Sequence, residues 1–409
     1  QEFVIVGWTD SDKQRGFKSL ILATRDGKQL TYAGKAGTGF SMDLIDELLG
    51  KLKPIEVKAP AVEVARADAR GAHWVAPKLV AEIAFTEFTS AGTLRHPSFI
   101  GLREDKPAKI VRREKTEPAP NPDFGVKISN ADRIIFPEAK LTKGDLADYY
   151  ARVEAIFLKD AARRPLTLVR CPQGRGKACF FQKHDTGGLG DHVHHVPIKE
   201  KDGTSEDYLW LEDPRGVLAC VQMGTIEFHG WGSRIKPLEK PDRLVFDLDP
   251  DVGLDFEAVR TGAKRLHSLL ADLGLVSFPM LSGGKGVHVV VPLDATAAWP
   301  KVRSFAERFS RAIAEAEPEL FTANIRKKER KGRIFLDWLR NQRGATAVLP
   351  YSARAREGAP VAAPIDWSEL DAISGANAFT IKDADELLVR AGSKLLAGWG
   401  EASQALPEA

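Results

Sequence analysis

The chain has 409 residues, which favours two domains over one, and 43% of the residues are hydrophobic and 28% charged. This balance is typical of globular proteins and excludes a wholly disordered chain. The net charge of +3 says little about partners. No apolar run approaches the roughly 20 residues that span a bilayer, and no charged and apolar leader points to secretion. The chain opens directly with a strand pattern at Gln1, which suggests a cut inside a longer protein.

Residues 1–106 have the pattern of short strands around one helix. FVIVGWT is a predicted strand, and SLILAT and QLTYAG flank RDGK at residues 25–28, which is a hairpin signal. Ser41 is a predicted N-cap for MDLIDELLGKL, whose leucines recur at helical spacing. Further strands are predicted around LVAEIAFTEFT and before LRHPSFIGLRED. The pattern predicts an all-β barrel of the OB type with a helix.

The composition changes at Pro107. Residues 107–125 are rich in proline and charge and are predicted to be a linker. Residues 126–395 are predicted to form a mixed α/β domain of the α+β class, and residues 396–409 a C-terminal tail. Thr142 and Asp145 predict a capping box before LADYYARVEAIF. Strand patterns such as RLVFDLD, VHVVVPL and IFLDWL then alternate with two long amphipathic helix patterns.

Two strand patterns carry carboxylates. Asp247 and Asp249 lie two apart in LVFDLDP, so they project from the same face of a strand, which Pro250 ends. Asp337 lies in the apolar pattern IFLDWL. If the strands are adjacent, three oxygen ligands converge, which suits Mg²⁺ or Mn²⁺ and two-ion chemistry. The alternative for Asp247 and Asp249 is an exposed strand end with solvated acids.

A glycine-rich segment, SGGKGVH at residues 282–288, lies between the acidic strands and runs into VHVVVPL. Its glycines allow backbone amides to approach phosphate oxygens closely. It is not a Walker A loop, because Gly286 follows Lys285 and a strand follows instead of a helix. Most glycine-rich loops are only turns. The hypothesis that this loop binds phosphate therefore depends on its placement between the acidic strands.

Two further patterns bear on partners and compartment. Cys171, Cys179 and Cys220 show no metal spacing and no disulfide framework, which fits a reducing cytoplasm. The run RKKERKGR at residues 326–333 predicts either a solvated loop or a surface that faces phosphates.

The motifs DLDP, SGGKGVH and FLDWLRN, in this order, resemble the three motifs of the primase-polymerase domain of bacterial ligase D, a relative of archaeo-eukaryotic primases. The resemblance includes ISNADRIIFP, CFFQKH, MGTIEFHGW and PYSARAREGAPVAAPIDWSEL and covers residues 126 to about 395. The segment WVAPKLVAEIAFTEFTSAGTLRHPSFIGLREDKPA resembles the OB domain that closes an ATP-dependent ligase, with residues 103–106 (REDK) as its last motif. The Lys-x-Asp-Gly motif of the ligase core is absent, so this chain by itself cannot form a lysine adenylate.

The resemblance implies a role for each candidate residue. Asp247 and Asp249 would bind both metal ions, and Asp337 the catalytic one. Nucleotide binding is implied for His229, Ser282, Lys285, His288, Arg340, Arg354, Phe180 and Phe181. Asn130, Arg133 and Lys143 would bind the 5′-phosphate of the downstream DNA strand, with Lys143 at a helix start that favours anions. Structural alternatives stay open: a buried histidine for His288, salt bridges for the arginines, and core packing for the phenylalanine pair.

The resemblance also implies the reaction. A primer 3′-hydroxyl would attack the α-phosphorus of a nucleoside triphosphate, with two Mn²⁺ or Mg²⁺ ions, a preference for ribonucleotides, and pyrophosphate as leaving group. DNA with gaps or double-strand ends and the Ku end-binding protein are the implied partners, in the bacterial cytoplasm at the nucleoid. Ligation would belong only to the full-length protein. A non-catalytic module that bridges DNA ends is the competing hypothesis.

Overall fold

The computed structural model describes residues 1–10, 16–26, 29–65, 68–85, 87–88, 92–95, 97–103, 107–109, 111, 124–184, 186–200 and 202–407. The chain divides into two compact units, Gln1–Pro120 and Asn121–Ala409. Most of the predicted linker, residues 110 and 112–123, lies outside the described residues, as do residues 104–106 of the ligase-like REDK segment.

The described part of the first unit contains a seven-stranded sheet, a separate two-stranded sheet and one α-helix. Its elements are β1 (Glu2–Thr9), β2 (Ser19–Asp26), β3 (Gln29–Ala36), α1 (Met42–Leu52), β4 (Glu56–Val57), β5 (Ala72–Val75), β6 (Val80–Ala84), β7 (Glu87–Phe88), β8 (Leu94–Arg95) and β9 (Ser98–Leu102). The sheet has the order β3-β2-β1-β5-β4, and β6 joins β1 to β9. A bridge between Thr38 and Ser98 connects the residues after β3 to β9. The closed OB barrel stays a prediction that these pairings leave open.

Strand β1 is buried on both faces of this sheet. Phe3 and Ile5 of β1 pack into one apolar cluster with α1, while Val4 and Val6 pack into a second cluster on the other face. Ala108 and Val111, which the sequence assigned to the linker, are buried in that second cluster. Ser41 caps α1 through its side-chain oxygen, which accepts from Leu44 N, as predicted.

The second unit contains the remaining elements. They are β10 (Ile134–Phe136), β11 (Leu141–Thr142), α2 (Lys143–Ala161), β12 (Leu166–Arg170), β13 (Phe180–Gln182), β14 (His194–Lys199), β15 (Ser205–Trp210), α3 (Pro214–Gln222), β16 (Thr225–Trp231), β17 (Arg243–Pro250), α4 (Phe256–Asp272), β18 (Phe278–Leu281), β19 (Val287–Pro292), α5 (Trp299–Ala316), β20 (Phe321–Thr322), β21 (Ile334–Asp337), β22 (Thr346–Val348), β23 (Ala363–Pro364) and α6 (Ala384–Ala391). The predicted mixed α+β class is confirmed for this unit.

Two sheets organise the second unit. A six-stranded sheet has the order β20-β21-β17-β19-β18-β23, and a four-stranded sheet the order β13-β12-β16-β22. Helices α4 and α5 contact the six-stranded sheet, whose central strand β19 is buried along its whole length. Such near-continuous apolar strands are expected where both faces are covered. No helix in the described part of the chain is long and apolar enough to cross a membrane.

One prediction from the cysteines is wrong. Cys171 and Cys179 form a disulfide, whereas Cys220 is buried as a free thiol. Strands β12 and β13 pair antiparallel, with Arg170 opposite Phe180. The residue after β12 and the residue before β13 are therefore brought face to face, a pairing that the spacing in sequence does not show.

Candidate active site

Strand β17 places the two predicted aspartates at the centre of the six-stranded sheet. It pairs antiparallel with β21 on one side and β19 on the other, so Asp247 lies directly opposite both Asp337 and His288. Asp249 follows two residues later on the same face of β17. The strand pairing thus brings Asp247, Asp249 and Asp337 together, although up to 90 residues separate them in the sequence. The two separate sequence patterns predicted this arrangement.

Arginines neutralise these carboxylates. The Arg340 guanidinium lies 3.3 Å from Asp247 Oδ2 through Nη2 and 3.1 Å from Asp337 Oδ2 through Nε. Arg330 Nη1 lies 3.2 Å from Asp249 Oδ2, and its guanidinium also covers the Phe335 ring. Two carboxylates on neighbouring strands repel each other unless a cation lies between them. The site is therefore arranged around positive charge.

The three carboxyl groups have different pKa values. Burial raises the pKa of Asp247, but the charge and hydrogen bond of His288 and the charge of Arg340 outweigh burial and hold it well below its usual range. Burial raises the pKa of Asp337, and burial together with the Asp247 charge raises that of Asp249. Neighbouring carboxyl groups whose pKa values are shifted in opposite directions, as for Asp247 and Asp249, are typical of functional sites.

The donor set fits a hard divalent cation. Asp247, Asp249 and Asp337 supply only oxygen ligands, which Mg²⁺ and Mn²⁺ prefer. Within the described residues, no cluster of three or more His, Cys, Asp or Glu side chains is already arranged around a metal position. Arg340 contacts Asp247 and Asp337, and Arg330 contacts Asp249.

A cavity of about 250 Å³ opens beside the aspartates. Its walls include Asp247 and Asp249 together with the predicted nucleotide-binding residues His229, Ser282, Lys285, His288, Arg340 and Arg354. Asp337 lies next to this cavity through its contact with Arg340. The cavity therefore collects polar and cationic side chains of the kind that hold a triphosphate.

The glycine-rich segment forms one wall because its glycines permit close packing. A Cβ at Gly286 would collide with the Leu248 carbonyl oxygen, and Gly283 has a φ of +65°, in the left-handed region. The segment is thereby drawn against β17, and Lys285 is left exposed at the cavity mouth. His288 is only 4% exposed and its Nε2 lies 3.3 Å from Asp247 Oδ1, so it contacts the carboxylate from inside the fold.

Strand β16 builds the opposite wall through Glu227. Glu227 Oε2 accepts from His229 Nε2 at 2.7 Å and from Arg354 Nε at 3.0 Å, and Oε1 accepts from the Ala355 backbone at 2.7 Å. Arg354 also donates to the Ser282 carbonyl oxygen. Burial opposes ionisation of Glu227, but the hydrogen bond from His229 and the charge of Arg354 lower its pKa to about 2.

The Phe180–Phe181 pair lies on the edge strand β13. Phe180 is 47% and Phe181 73% exposed, so neither packs in the core. The Arg170 guanidinium lies 5.4 Å from the Phe180 ring centre, and the Phe181 ring lies 6.3 Å from that of His229. Exposed rings near these cationic side chains are compatible with the prediction that the pair stacks on bases, which remains a prediction.

A second cavity, of about 210 Å³, contains the three residues predicted to bind a 5′-phosphate. Asn130, Arg133 and Lys143 line it together with Arg170 and Gln222. The Lys143 ammonium donates to Ser129 O at 3.0 Å and to Gln222 Oε1 at 2.7 Å. Burial and the nearby Arg133 charge lower the pKa of Lys143. Helix α2 begins here, capped by the predicted box of Thr142 and Asp145.

The basic run at residues 326–333 includes a 3₁₀ turn, Lys327–Arg330. Arg326, Lys327, Lys328 and Lys331 are exposed, and Arg330 connects the run to Asp249. The two predicted alternatives for this run therefore stay open.

The sequence reasoning missed three residues that shape these cavities. Glu227 lies two residues before His229 on strand β16, so strand alternation was the available signal for it. Arg356 lies two residues after Arg354, outside any strand, and its position in the basic segment ARAREG was the only signal. Arg356 lines the aspartate cavity. Gln222 gave no signal, because its contacts with Ser129 and Lys143 span 93 and 79 residues.

Comparisons with known proteins match both units. The family model of the LigD primase-polymerase domain matches residues 142–395, which is more than half of the chain, and that of the ATP-dependent DNA ligase C-terminal region matches residues 13–106. A multifunctional non-homologous end joining protein LigD of Pseudomonas aeruginosa is 37% identical over 95% of this chain and 48% of its own length. A bifunctional LigD of Bacillus subtilis is 33% identical over 71% of this chain and 47% of its own.

A solved structure agrees. The polymerase domain of Mycobacterium tuberculosis ligase D, determined in complex with DNA, superposes with a TM-score of 0.62 at 31% identity, covering 67% of this chain and 98% of that domain. The chain spans about half the length of the two curated relatives. The fold of the second unit, the aspartates on its paired strands and the match over residues 142–395 all place the chain in the LigD primase-polymerase family.

Proposed function

We propose that the second unit catalyses template-directed nucleotidyl transfer at DNA gaps and ends. The primer 3′-hydroxyl attacks the α-phosphorus of a nucleoside triphosphate, the new phosphodiester forms, and pyrophosphate leaves. The observation that carries this proposal is the pairing of Asp247 with Asp337 across β17 and β21, at a cavity lined by cationic and polar side chains. Carboxylates and arginines in such proximity are the parts that phosphoryl transfer needs.

The residues divide the work by chemistry. Asp247, Asp249 and Asp337 would hold the divalent ions, Mn²⁺ or Mg²⁺, which lower the pKa of an attacking hydroxyl and stabilise charge on a leaving group. Ser282, Lys285, His229, Arg340 and Arg354 would hold the triphosphate, with Glu227 orienting His229 and Arg354 through the hydrogen bonds given above. His288 contacts Asp247 and would hold that carboxylate in place.

The second cavity would determine which DNA the unit prefers. Asn130, Arg133 and Lys143 would bind the 5′-phosphate beyond a gap, because the cavity presents donors and cationic charge at the start of α2. Phe180 and Phe181 would stack on bases between the two cavities. The polymerase unit would then bind both sides of a gap, which suits short additions better than long copying.

The wider setting also belongs to the proposal. The relatives named for non-homologous end joining suggest that the chain acts in that repair as part of a ligase D, with the first unit as the OB domain of its ligase. A preference for ribonucleotides, a Ku-type end-binding partner and a place in the bacterial cytoplasm rest on the resemblance alone. Ligation would require the ligase core that the sequence of this chain does not contain.

The test is templated addition to a primer by the full chain, with Mn²⁺ or Mg²⁺ and either ribo- or deoxynucleotides. Asp247→Asn should lower the rate of addition by more than about 100-fold, because a lost metal ligand costs at least as much as a lost neighbour of one. Asp272→Asn, at the exposed end of α4, is the matched control and should leave the rate unchanged. DNA binding without any addition by the unaltered chain would favour the non-catalytic end-bridging module instead.

A further inference from the structure

The second cavity has an unusual balance of charge. Among the described residues, those that line it include three cations, Arg133, Lys143 and Arg170, and no carboxylate. Lys143 is only 7% exposed, although a buried ammonium ordinarily needs a counter-charge. Its recorded acceptors, the Ser129 carbonyl and the Gln222 amide, are both neutral.

Gln222 makes this arrangement possible. Its Oε1 accepts from Lys143 Nζ at 2.7 Å and from the Ser129 backbone N at 2.8 Å, and its Nε2 donates to Ser129 Oγ at 2.6 Å. An ammonium only donates, so the oxygen of the amide must face Lys143. The last residue of α3 thereby fixes both the turn at Ser129 and the first residue of α2.

The neutral amide orients the ammonium without cancelling its charge. A glutamate has the same shape and could accept all three hydrogen bonds, since the Ser129 hydroxyl can donate instead of accepting. It would, however, give Lys143 a buried ion-pair partner and remove the excess positive charge that attracts an anion. The other two cations also donate to neutral acceptors: Arg133 Nη1 to the Pro172 carbonyl oxygen at 3.0 Å, and Arg170 to the Met223 carbonyl oxygen and to Gln182 Oε1.

We propose that Gln222 determines the specificity of this cavity for a terminal phosphate dianion, by positioning Lys143 while leaving its charge uncompensated. The inference rests on the proposed function, which assigns the 5′-phosphate to this cavity, and adds to it a positioning residue from α3. The preference for a terminal phosphate would then depend on the absence of a carboxylate at position 222.

The test compares the affinity of the full chain for a gapped duplex that ends in a 5′-phosphate with its affinity for the same duplex ending in a 5′-hydroxyl. The readout is the Kd for the 5′-hydroxyl duplex divided by the Kd for the 5′-phosphate duplex. A general loss of folded protein affects both Kd values alike and leaves this ratio unchanged. Gln222→Glu should reduce this ratio by at least about 10-fold. If Lys143→Met itself reduces the ratio by less than that, Gln222→Glu should reduce it to the value measured for Lys143→Met. The double variant, Gln222→Glu with Lys143→Met, should show no further loss of the ratio, because the effects of two coupled neighbours do not add.

The control is Gln173→Glu, which adds the same charge at an exposed position of the loop beside the cavity but does not line it. It should keep the ratio of the unaltered chain. If Gln222→Glu keeps the ratio of the unaltered chain, or if Gln173→Glu lowers the ratio as much as Gln222→Glu does, the role of Gln222 is overturned. The phosphate site itself would then still stand. If the unaltered chain and Lys143→Met both show no preference for the 5′-phosphate, the phosphate site itself is wrong.

Discussion

At the scale of single residues, buried carboxylates set the geometry of the cavities. Glu227 is nearly enclosed, yet it accepts from His229, from Arg354 and from the Ala355 backbone. These partners more than offset the cost of burial and lower its pKa to about 2. Because the folded pKa lies below the unfolded one, ionised Glu227 stabilises the fold at neutral pH.

Glu227→Gln should therefore lower the free energy of unfolding at pH 7 by an amount on the order of 3 kcal/mol. The stabilisation by Glu227 is fully present above the unfolded pKa of about 4.3 and is lost as the pH falls towards the folded pKa of about 2. Urea unfolding of both proteins at pH 7 and near pH 3 measures the difference, which should shrink at the lower pH. Glu315→Gln, on the exposed side of α5, should show no such convergence. A constant difference at both pH values would contradict this role.

At the scale of elements, the patterns with a regular period were predicted well. The capping box of α2, the helix α1 with its Ser41 cap, and the acidic strands β17 and β21 are all where the sequence indicates. Features that depend on pairing across the chain were not predicted. The Cys171–Cys179 disulfide follows from the register of β12 with β13, and the Gln222 contacts follow from the approach of α3 to α2, neither of which has a local signal.

The disulfide closes the loop between β12 and β13, with a sequence separation of 8. A loop of this length is expected to stabilise the fold by about 2 kcal/mol through the lost freedom of the unfolded chain. Cys179→Ser should show this loss of unfolding free energy in non-reducing buffer, measured by urea denaturation. In the presence of a thiol reductant the variant and the parent should agree, which makes reduction the internal control. Equal stability in both buffers would mean that the two thiols do not pair.

At the scale of the whole molecule, the two units account for different parts of the resemblance. The second unit contains both cavities and the paired aspartates, and it covers nearly all of a polymerase domain solved with DNA. The first unit matches the C-terminal region of an ATP-dependent ligase, and the chain spans about half of its curated relatives. All the residues to which the proposed polymerase reaction assigns a role therefore lie in the second unit.

In the proposed reaction, the second unit combines nucleotidyl transfer at the aspartate cavity with recognition of a downstream phosphate. The most direct measurement is the rate of templated addition into a one-nucleotide gap, with a 5′-phosphate or a 5′-hydroxyl on the downstream strand at subsaturating DNA. We expect faster addition with the 5′-phosphate, by about 10-fold or more, and loss of that advantage in Lys143→Met. Equal rates on both substrates in the unaltered chain would contradict it, as would an advantage that survives in Lys143→Met.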